Sequence, residues 1–181
     1  MTSHPDHSLL LPIPAEVPSF LIPWLTEQGA ITDRLIQESG DAQLEVLIQA
    51  FRSTNAWEEQ VLHLKKEEIF YREILMWSHK TRCWFARTLI PKDTYQSDLL
   101  FFGRLQHETL GALIYDEPRV KRGERFCYSI GKESIEYHGL TSAMHEFSDV
   151  LWARRSVYTF QEQGDFYLLE IFLPGLERMF N

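Results

Sequence analysis

The chain has 181 residues, 44% of them hydrophobic and 13% aromatic, which suits the core of one domain and excludes a disordered or disulfide-scaffold protein. Acidic residues outnumber basic ones by 26 to 18, and the net charge of −8 disfavours binding to nucleic acid or to an anionic membrane. The two cysteines, Cys83 and Cys127, form no Cys-x-x-Cys pair and are predicted to be buried, reduced thiols.

The N-terminal residues are rich in proline, histidine and serine, and they have neither the basic start nor the long apolar run of a secretion signal. We therefore predict a loose arm over residues 1–15 and a single domain over residues 16–181. No apolar run reaches the length needed to cross a membrane, so we expect a cytoplasmic protein without a membrane span.

Helical patterns characterise the start of the domain. Apolar residues at helical intervals predict a helix from about Val17 to Gln28. Thr32 is expected to cap a second helix, Asp33 to Ser39, which Gly40 ends. The segment from Leu44 to Phe51 is compatible with a strand, but its pattern does not separate strand from helix.

From residue 69 onward, aromatic and β-branched side chains favour strands. A turn at residues 78–81 is predicted to join the first two strands into an antiparallel hairpin, and Gly164-Asp165 is predicted to join the last two. The predicted strands are Ile69 to Trp77, Cys83 to Ile90, Arg125 to Ile130, Val150 to Phe160 and Phe166 to Leu173.

Between these strands, Ser97 to Phe102 is predicted to be helical and to end at Gly103, and a short element begins at Leu110. The polar segment from Gly131 to Asp149 is predicted to be a long connection. Helices followed by hairpin-linked strands indicate an α+β fold with an antiparallel sheet.

Charged side chains stand inside these apolar strands. Strand alternation places Glu170 on a face with Leu168 and Phe172, and the opposite face is apolar as well, so the Glu170 carboxylate needs a partner. Alternation also directs the consecutive residues Arg154 and Arg155 to opposite faces. The arginines embedded in the apolar strands are Arg72, Arg87, Arg154 and Arg155.

Taken singly, residues of this kind are usually members of structural ion pairs or lie on a solvated face. Together, four embedded arginines and one embedded glutamate leave positive charge without a partner in a chain that is net acidic. A buried anionic ligand would balance this charge, because a planar guanidinium binds a carboxylate through two parallel hydrogen bonds.

Metal and nucleotide cofactors are not predicted. His107-Glu108 and His145-Glu146 lack the second histidine of a helical zinc motif. The chain also lacks a glycine-rich phosphate loop.

Short motifs follow one another in a definite order over most of the chain. They are Trp24-Leu25 seven residues before Ile31-Thr32, Tyr71-Arg72-Glu73-Ile74-Leu75, Ala86-Arg87-Thr88-Leu89-Ile90-Pro91, Leu110-Gly111, Leu151-Trp152-Ala153-Arg154-Arg155-Ser156 and Glu170-Ile171-Phe172-Leu173-Pro174. Each motif is short, but the ordered set resembles the chorismate lyase (chorismate pyruvate-lyase) family.

This resemblance implies an antiparallel sheet that carries helices, with helical flaps closed over a buried ligand. It also implies cleavage of chorismate to 4-hydroxybenzoate and pyruvate without a cofactor or metal, the first committed step of ubiquinone biosynthesis. We expect a monomer that slowly releases its product. The segment Gly131 to Asp149 is longer than the resemblance leads us to expect.

The resemblance also implies roles for particular residues. Arg72 would bind the ring carboxylate, and Glu170 would meet the 4-hydroxyl as a base or as a hydrogen-bond partner. Backbone groups at Ile31 and Leu110 would complete the enclosure. The candidates for the second carboxylate, or for support of the site, are Arg87, Arg154 and Arg155.

Two other functions fit the same motifs. One is a non-catalytic module of the same fold that binds an aromatic acid or another effector. The other is a lyase for a related enolpyruvyl compound. The presence of both Arg72 and Glu170, together with the lack of a basic patch, favours the chorismate lyase.

Overall fold

The computed structural model describes residues 13–180, so residues 1–12 of the predicted arm lie outside the described residues. Within the described range, six strands form one sheet in the order β1-β2-β3-β6-β5-β4, and every neighbouring pair is antiparallel. The predicted α+β class is therefore confirmed. The strands are β1 (Gln43–Ser53), β2 (Glu68–Ser78), β3 (Thr81–Pro91), β4 (Val120–Gly131), β5 (Val150–Phe160) and β6 (Gly164–Phe172).

Short helices connect or cover these strands. None of those in residues 13–180 is long and apolar enough to cross a membrane. The helices are α1 (Ile22–Thr26), α2 (Ile31–Ser39), α3 (Ala56–Val61), α4 (Lys92–Ser97), α5 (Leu99–Gly103), α6 (Leu110–Ile114), α7 (Ile135–His138), α8 (Ser142–His145) and α9 (Pro174–Phe180).

The predicted hairpin between β2 and β3 is confirmed. Its two turn residues, His79 and Lys80, both have positive φ angles, of 46° and 65°. Two consecutive left-handed residues match the right-handed twist of the flanking strands, which is why such turns connect hairpins tightly.

Strand register brings the embedded charges together on one face of the sheet, which we call the front face. Two adjacent rows on this face consist of Arg72, Thr88, Leu168, Ser156 and Arg125, and of Ile74, Ala86, Glu170, Arg154 and Cys127. We call the opposite side the back face.

Most helices cover the front face and bury large apolar side chains against it. These side chains include Trp24 of α1, Leu35 of α2, Phe102 of α5, Leu110 of α6 and Leu176 of α9. The charged rows of the sheet therefore lie under an apolar helical layer and away from bulk water.

The back face is covered as well. The segment 131–149, predicted to be a plain connection, contains α7 and α8, whose Tyr137 and Met144 pack with Phe85 and Ile171. The prediction is corrected because these apolar residues fold onto the sheet rather than remain in a solvated loop.

Three helix predictions also need correction. In place of one helix over Val17 to Gln28, a 3₁₀ turn precedes α1, because Pro23 lacks the N–H group needed beyond a first helical turn. Helix α2 begins at Ile31, with Ala30 rather than Thr32 at the N-cap. The helix predicted from Ser97 to Phe102 begins at Leu99 instead, because Ser97 ends α4 and non-helical Asp98 separates it from α5. The Asp98 side chain caps α5 by accepting a hydrogen bond from the Phe101 N–H at 2.9 Å.

Candidate active site

A cavity lies between the front face and the starts of α2 and α6. Its atom-free space, counted together with the opening to solvent, is about 540 Å³. Residues 28–32 and 109–111 form its helical wall. The charged residues that line it all come from the sheet, and they are Arg72, Arg122, Arg125, Arg154 and Glu170.

Arg72 is buried without a carboxylate partner. The residue is 1% exposed, and its Nε donates to the Gln49 side-chain oxygen at 3.1 Å. Its Nη2 has no hydrogen-bond partner among residues 13–180. Burial lowers the pKa of Arg72 to about 10, so the guanidinium remains protonated at neutral pH. A buried cation of this kind is costly unless an anion joins it, so Arg72 is a candidate binding group for an anionic ligand.

Glu170 and Arg154 form a buried pair. Arg154 Nε donates to Glu170 Oε2 at 2.6 Å. Arg154 Nη1 also donates to the Trp24 and Glu27 carbonyl oxygens at 3.0 and 3.2 Å. Burial acts to lower the pKa of Arg154, but the charge and hydrogen bond of Glu170 outweigh it and raise that pKa. Arg154 therefore orients Glu170 in the cavity and anchors the chain above it.

Arg125 is a third buried guanidinium in the cavity, and it has neutral partners. The residue is 5% exposed, and it donates to Ser156 Oγ at 3.2 Å and to the Glu27 carbonyl at 2.7 Å. Burial, followed by the nearby charge of Arg154, lowers the pKa of Arg125.

A bulge in β4 brings Arg122 into the cavity beside Arg125. The two are three residues apart, which in a regular strand would direct them to opposite faces. Arg122 pairs with Tyr158 and Arg125 with Ser156, and the register shifts between them. Since Tyr158 and Ser156 share a face, the extra residue puts both arginines on the cavity side.

The same arginines hold the loop between α1 and α2. The Glu27 carbonyl accepts hydrogen bonds from Arg125 and Arg154, and the Gln28 carbonyl accepts one from Arg122. The loop that covers the cavity is thus fastened to the sheet by groups that also face the ligand space.

Ile31 and Leu110 line the cavity, as the resemblance implies. They are the first residues of α2 and α6, positions whose backbone N–H groups have no partner within a helix. Main-chain donors therefore belong to the helical wall.

Arg87 and Arg155 lie outside the cavity, which corrects the expectation that they hold a second carboxylate. Both are on the back face, where they flank Leu169 in a single row. Arg87 donates to Glu73 Oε1 at 2.7 and 2.9 Å, and the Arg155 guanidinium lies over the Phe126 ring. Strand alternation explains why both arginines face away from the cavity, because the residue that precedes each of them in its strand is on the front face.

Sequence reasoning missed Arg122 and Arg125. Arg125 begins a predicted strand, and alternation puts it on the same face as Cys127. No such signal exists for Arg122, because the predicted strand begins three residues after it and the bulge reverses the face that alternation would give it.

No group of three or more His, Cys, Asp and Glu side chains within residues 13–180 is arranged to hold a metal ion. Cys83 is buried and Cys127 is half-buried, and neither forms a disulfide within the described residues.

Comparison with solved structures shows the fold. The C-terminal domain of the histidine utilization repressor from Pseudomonas syringae pv. tomato matches with a TM-score of 0.52 at 11% identity, covering 74% of this chain and 92% of that one. The effector domain of PhnF from Mycobacterium smegmatis matches with a TM-score of 0.51 at 12% identity, covering 81% and 90%. At such identities, the likeness extends to architecture alone.

Sequence comparison is more specific. A probable chorismate pyruvate-lyase from Aromatoleum aromaticum is 28% identical over 176 residues, covering 96% of this chain and 95% of the relative. One from Methylobacillus flagellatus is 27% identical and covers 87% and 88%. The family model described as chorismate lyase matches residues 14–181. Together with the arginine-lined cavity, this match shows that the chain belongs to the chorismate lyase family.

Proposed function

We propose that this protein is a chorismate pyruvate-lyase that converts chorismate into 4-hydroxybenzoate and pyruvate. The observation that carries the proposal is the buried Arg72 guanidinium, without a carboxylate partner among the described residues, in the same cavity as Glu170. Chorismate has two carboxylates and a hydroxyl, which match the excess of arginines and the single glutamate of this cavity. The relatives named as probable chorismate pyruvate-lyases support the same activity.

The sheet order supports an orientation for the substrate. Arg72 is on β2 and Glu170 is on β6, with β3 between them. The ring carboxylate and the 4-hydroxyl stand at opposite ends of the ring, so Arg72 can bind the carboxylate while Glu170 accepts a hydrogen bond from the hydroxyl. Ile31 and Leu110 would close the helical wall over the ring.

The reaction is an elimination that leaves the ring aromatic. The C4–H bond and the C3–O ether bond break, the electron pair of C4–H enters the ring, and the enolpyruvyl oxygen leaves. The proton returns to the leaving group, which becomes pyruvate. No electrons are exchanged with another molecule, so the step requires no redox cofactor, and the site's task is to hold the conformation and offset charge.

In this proposal the protein acts without a bound cofactor or metal, in the cytoplasm, at the first committed step of ubiquinone biosynthesis. The product of the reaction is a small, planar aromatic acid that fills the space between Arg72 and Glu170. A pocket so complementary to its product is expected to release it slowly.

The test is to mix the purified protein with chorismate and to follow pyruvate with a coupled dehydrogenase and 4-hydroxybenzoate by absorbance. We expect the two products in equal amounts. Tight binding of 4-hydroxybenzoate without turnover would instead favour the non-catalytic module. Turnover of another enolpyruvyl compound, with chorismate inert, would favour the related lyase.

A further inference from the structure

We propose that Arg125 binds the carboxylate of the enolpyruvyl group, the part of the substrate that leaves as pyruvate. This inference rests on the proposed function and assigns the second of the substrate's two carboxylates, which the sequence had left among three other arginines. Under this assignment, Arg72 and Glu170 bind groups that the substrate and the product share, whereas Arg125 binds a group that only the substrate has.

Among the described residues, Arg125 has no anionic hydrogen-bond partner. Its guanidinium is buried, lines the cavity and donates to a hydroxyl and a carbonyl, both of them neutral acceptors. No carboxylate among residues 13–180 forms an ion pair with it. A buried guanidinium in this state gains a charge-assisted hydrogen bond when an anionic ligand arrives.

Arg125 also lies on the side of the cavity toward which the enolpyruvyl group branches. Chorismate carries its enolpyruvyl ether on the ring carbon next to the one that bears the hydroxyl. The hydroxyl is assigned to Glu170 on β6, and the ring carboxylate to Arg72 on β2. The sheet continues past β6 through β5 to β4, away from Arg72. The enolpyruvyl group, which branches at the hydroxyl end of the ring, therefore extends toward the β4 side of the cavity, where Arg125 lies.

The other arginines either bond to protein groups already or lie on the back face. Arg154 already donates to Glu170 and to two carbonyls, and Arg87 and Arg155 are on the back face. Arg122 is less buried than Arg125 and holds the Gln28 carbonyl of the covering loop. Arg125 is the guanidinium in the described cavity that combines full burial, neutral partners and the correct side of Glu170.

Binding of the second carboxylate would change how Arg125 holds the covering loop. Arg125 Nη1 now donates to the Glu27 carbonyl at 2.7 Å, and a carboxylate competes for the same donor. Arg154 donates to that carbonyl as well and Arg122 donates to the Gln28 carbonyl, so the loop stays bonded to the sheet while the substrate is bound.

The test compares Arg125→Gln with Arg155→Gln, a matched change at a half-buried arginine of β5 on the back face. For Arg125→Gln, we expect kcat/KM for chorismate to fall by roughly 10- to 100-fold, the size of one charged hydrogen bond. Its dissociation constant for 4-hydroxybenzoate, which has no enolpyruvyl group, should stay as in the wild type. Arg155→Gln should leave both quantities unchanged. Arg72→Gln should weaken the binding of both chorismate and 4-hydroxybenzoate.

Retained binding of 4-hydroxybenzoate also shows that the Arg125→Gln variant is folded. If that variant does not fold, Arg125→Lys, which keeps the charge, is used in its place, and the same pattern of losses is expected. Equal losses for chorismate and for 4-hydroxybenzoate, or no loss for either, would overturn the assignment of Arg125. A wild-type protein inert toward chorismate would instead refute the proposed function, so the two failures are distinguishable.

Discussion

Arg72 carries a positive charge where a charge is costly, because its side chain is buried and its Nη2 has no partner within the described chain. Under the proposed function, the free energy spent on desolvating it is recovered when the substrate carboxylate binds. Arg87 presents the contrast, since its charge is balanced internally by Glu73. A partner for the charge therefore separates Arg87, a structural arginine, from Arg72, the proposed carboxylate anchor.

For Arg72→Lys, we expect 4-hydroxybenzoate to bind about 1.5–3 kcal/mol more weakly, because lysine keeps the charge but loses the planar fork that binds a carboxylate through two hydrogen bonds. Titration calorimetry measures the change. Arg87→Lys on the back face is the control and should bind the product as the wild type does. An unchanged dissociation constant in Arg72→Lys would refute Arg72 as the carboxylate anchor.

For Glu170→Gln, we expect kcat to fall by roughly 10²- to 10⁴-fold if the carboxylate takes a proton in the reaction, since the amide keeps the shape but cannot act as a base. Steady-state kinetics with chorismate measures it. Glu73→Gln also removes a carboxylate from an arginine pair, but on the back face, and should retain wild-type kcat. Wild-type turnover in Glu170→Gln would restrict Glu170 to orienting the hydroxyl.

At the scale of elements, two helix starts close the cavity against a rigid sheet. The loop before α2 meets both ends of α6 through small residues. A Cβ at Gly111, at the start of α6, would lie 3.4 Å from the Ala30 Cβ, and one at Gly29 would lie 3.1 Å from the ring of Tyr115, which follows α6. Close approach of these two segments therefore depends on the missing side chain at Gly29. Because arginines from the sheet hold the loop by its carbonyls, closure is coupled to the charged floor.

Gly29→Val should hold the two segments apart, since the added branched side chain would crowd the Tyr115 ring. We expect weaker binding of 4-hydroxybenzoate and faster product release, measured by stopped-flow displacement. Gly103→Val, where a new Cβ would meet nothing within 4 Å, is the control. Product release at the wild-type rate in Gly29→Val would show that these segments do not limit it.

At the scale of the whole molecule, helices cover both faces of the central strands, and both edge strands are irregular. Edge strand β1 has a register shift at residues 46–48, and edge strand β4 has one at residues 122–125. Bulges of this kind twist an edge away from another strand and hinder edge-to-edge association.

We therefore keep the prediction of a monomer, which for this chain has a mass of 21.4 kDa. Sedimentation equilibrium at several concentrations should give that mass throughout, because the net charge of −8 also keeps copies apart. A concentration-dependent rise toward twice the mass would contradict the prediction and direct attention to the exposed Val46, Ile48 and Phe51 of β1.

The pattern of residues was sufficient for the strands and for part of the site. Strand β5 was predicted with its observed bounds, and the facing of Glu170, Arg154 and Arg155 followed from alternation alone. Alternation is a local property of an extended chain, so regular strands reveal it without knowledge of their neighbours. The same information was enough to place Arg72 and Glu170 among the candidate ligand-binding groups.

Only the tertiary structure decided which arginines are free to bind. Arg87 is neutralised by Glu73 on the neighbouring strand, a pairing that depends on register between two segments and not on either segment alone. Arg122 and Arg125 share the cavity because a bulge adds a residue between them, and a bulge forms only when a strand has a partner. Charge in a sequence is local, whereas its compensation depends on what lies opposite in space, and in this protein that difference determines where an anion can bind.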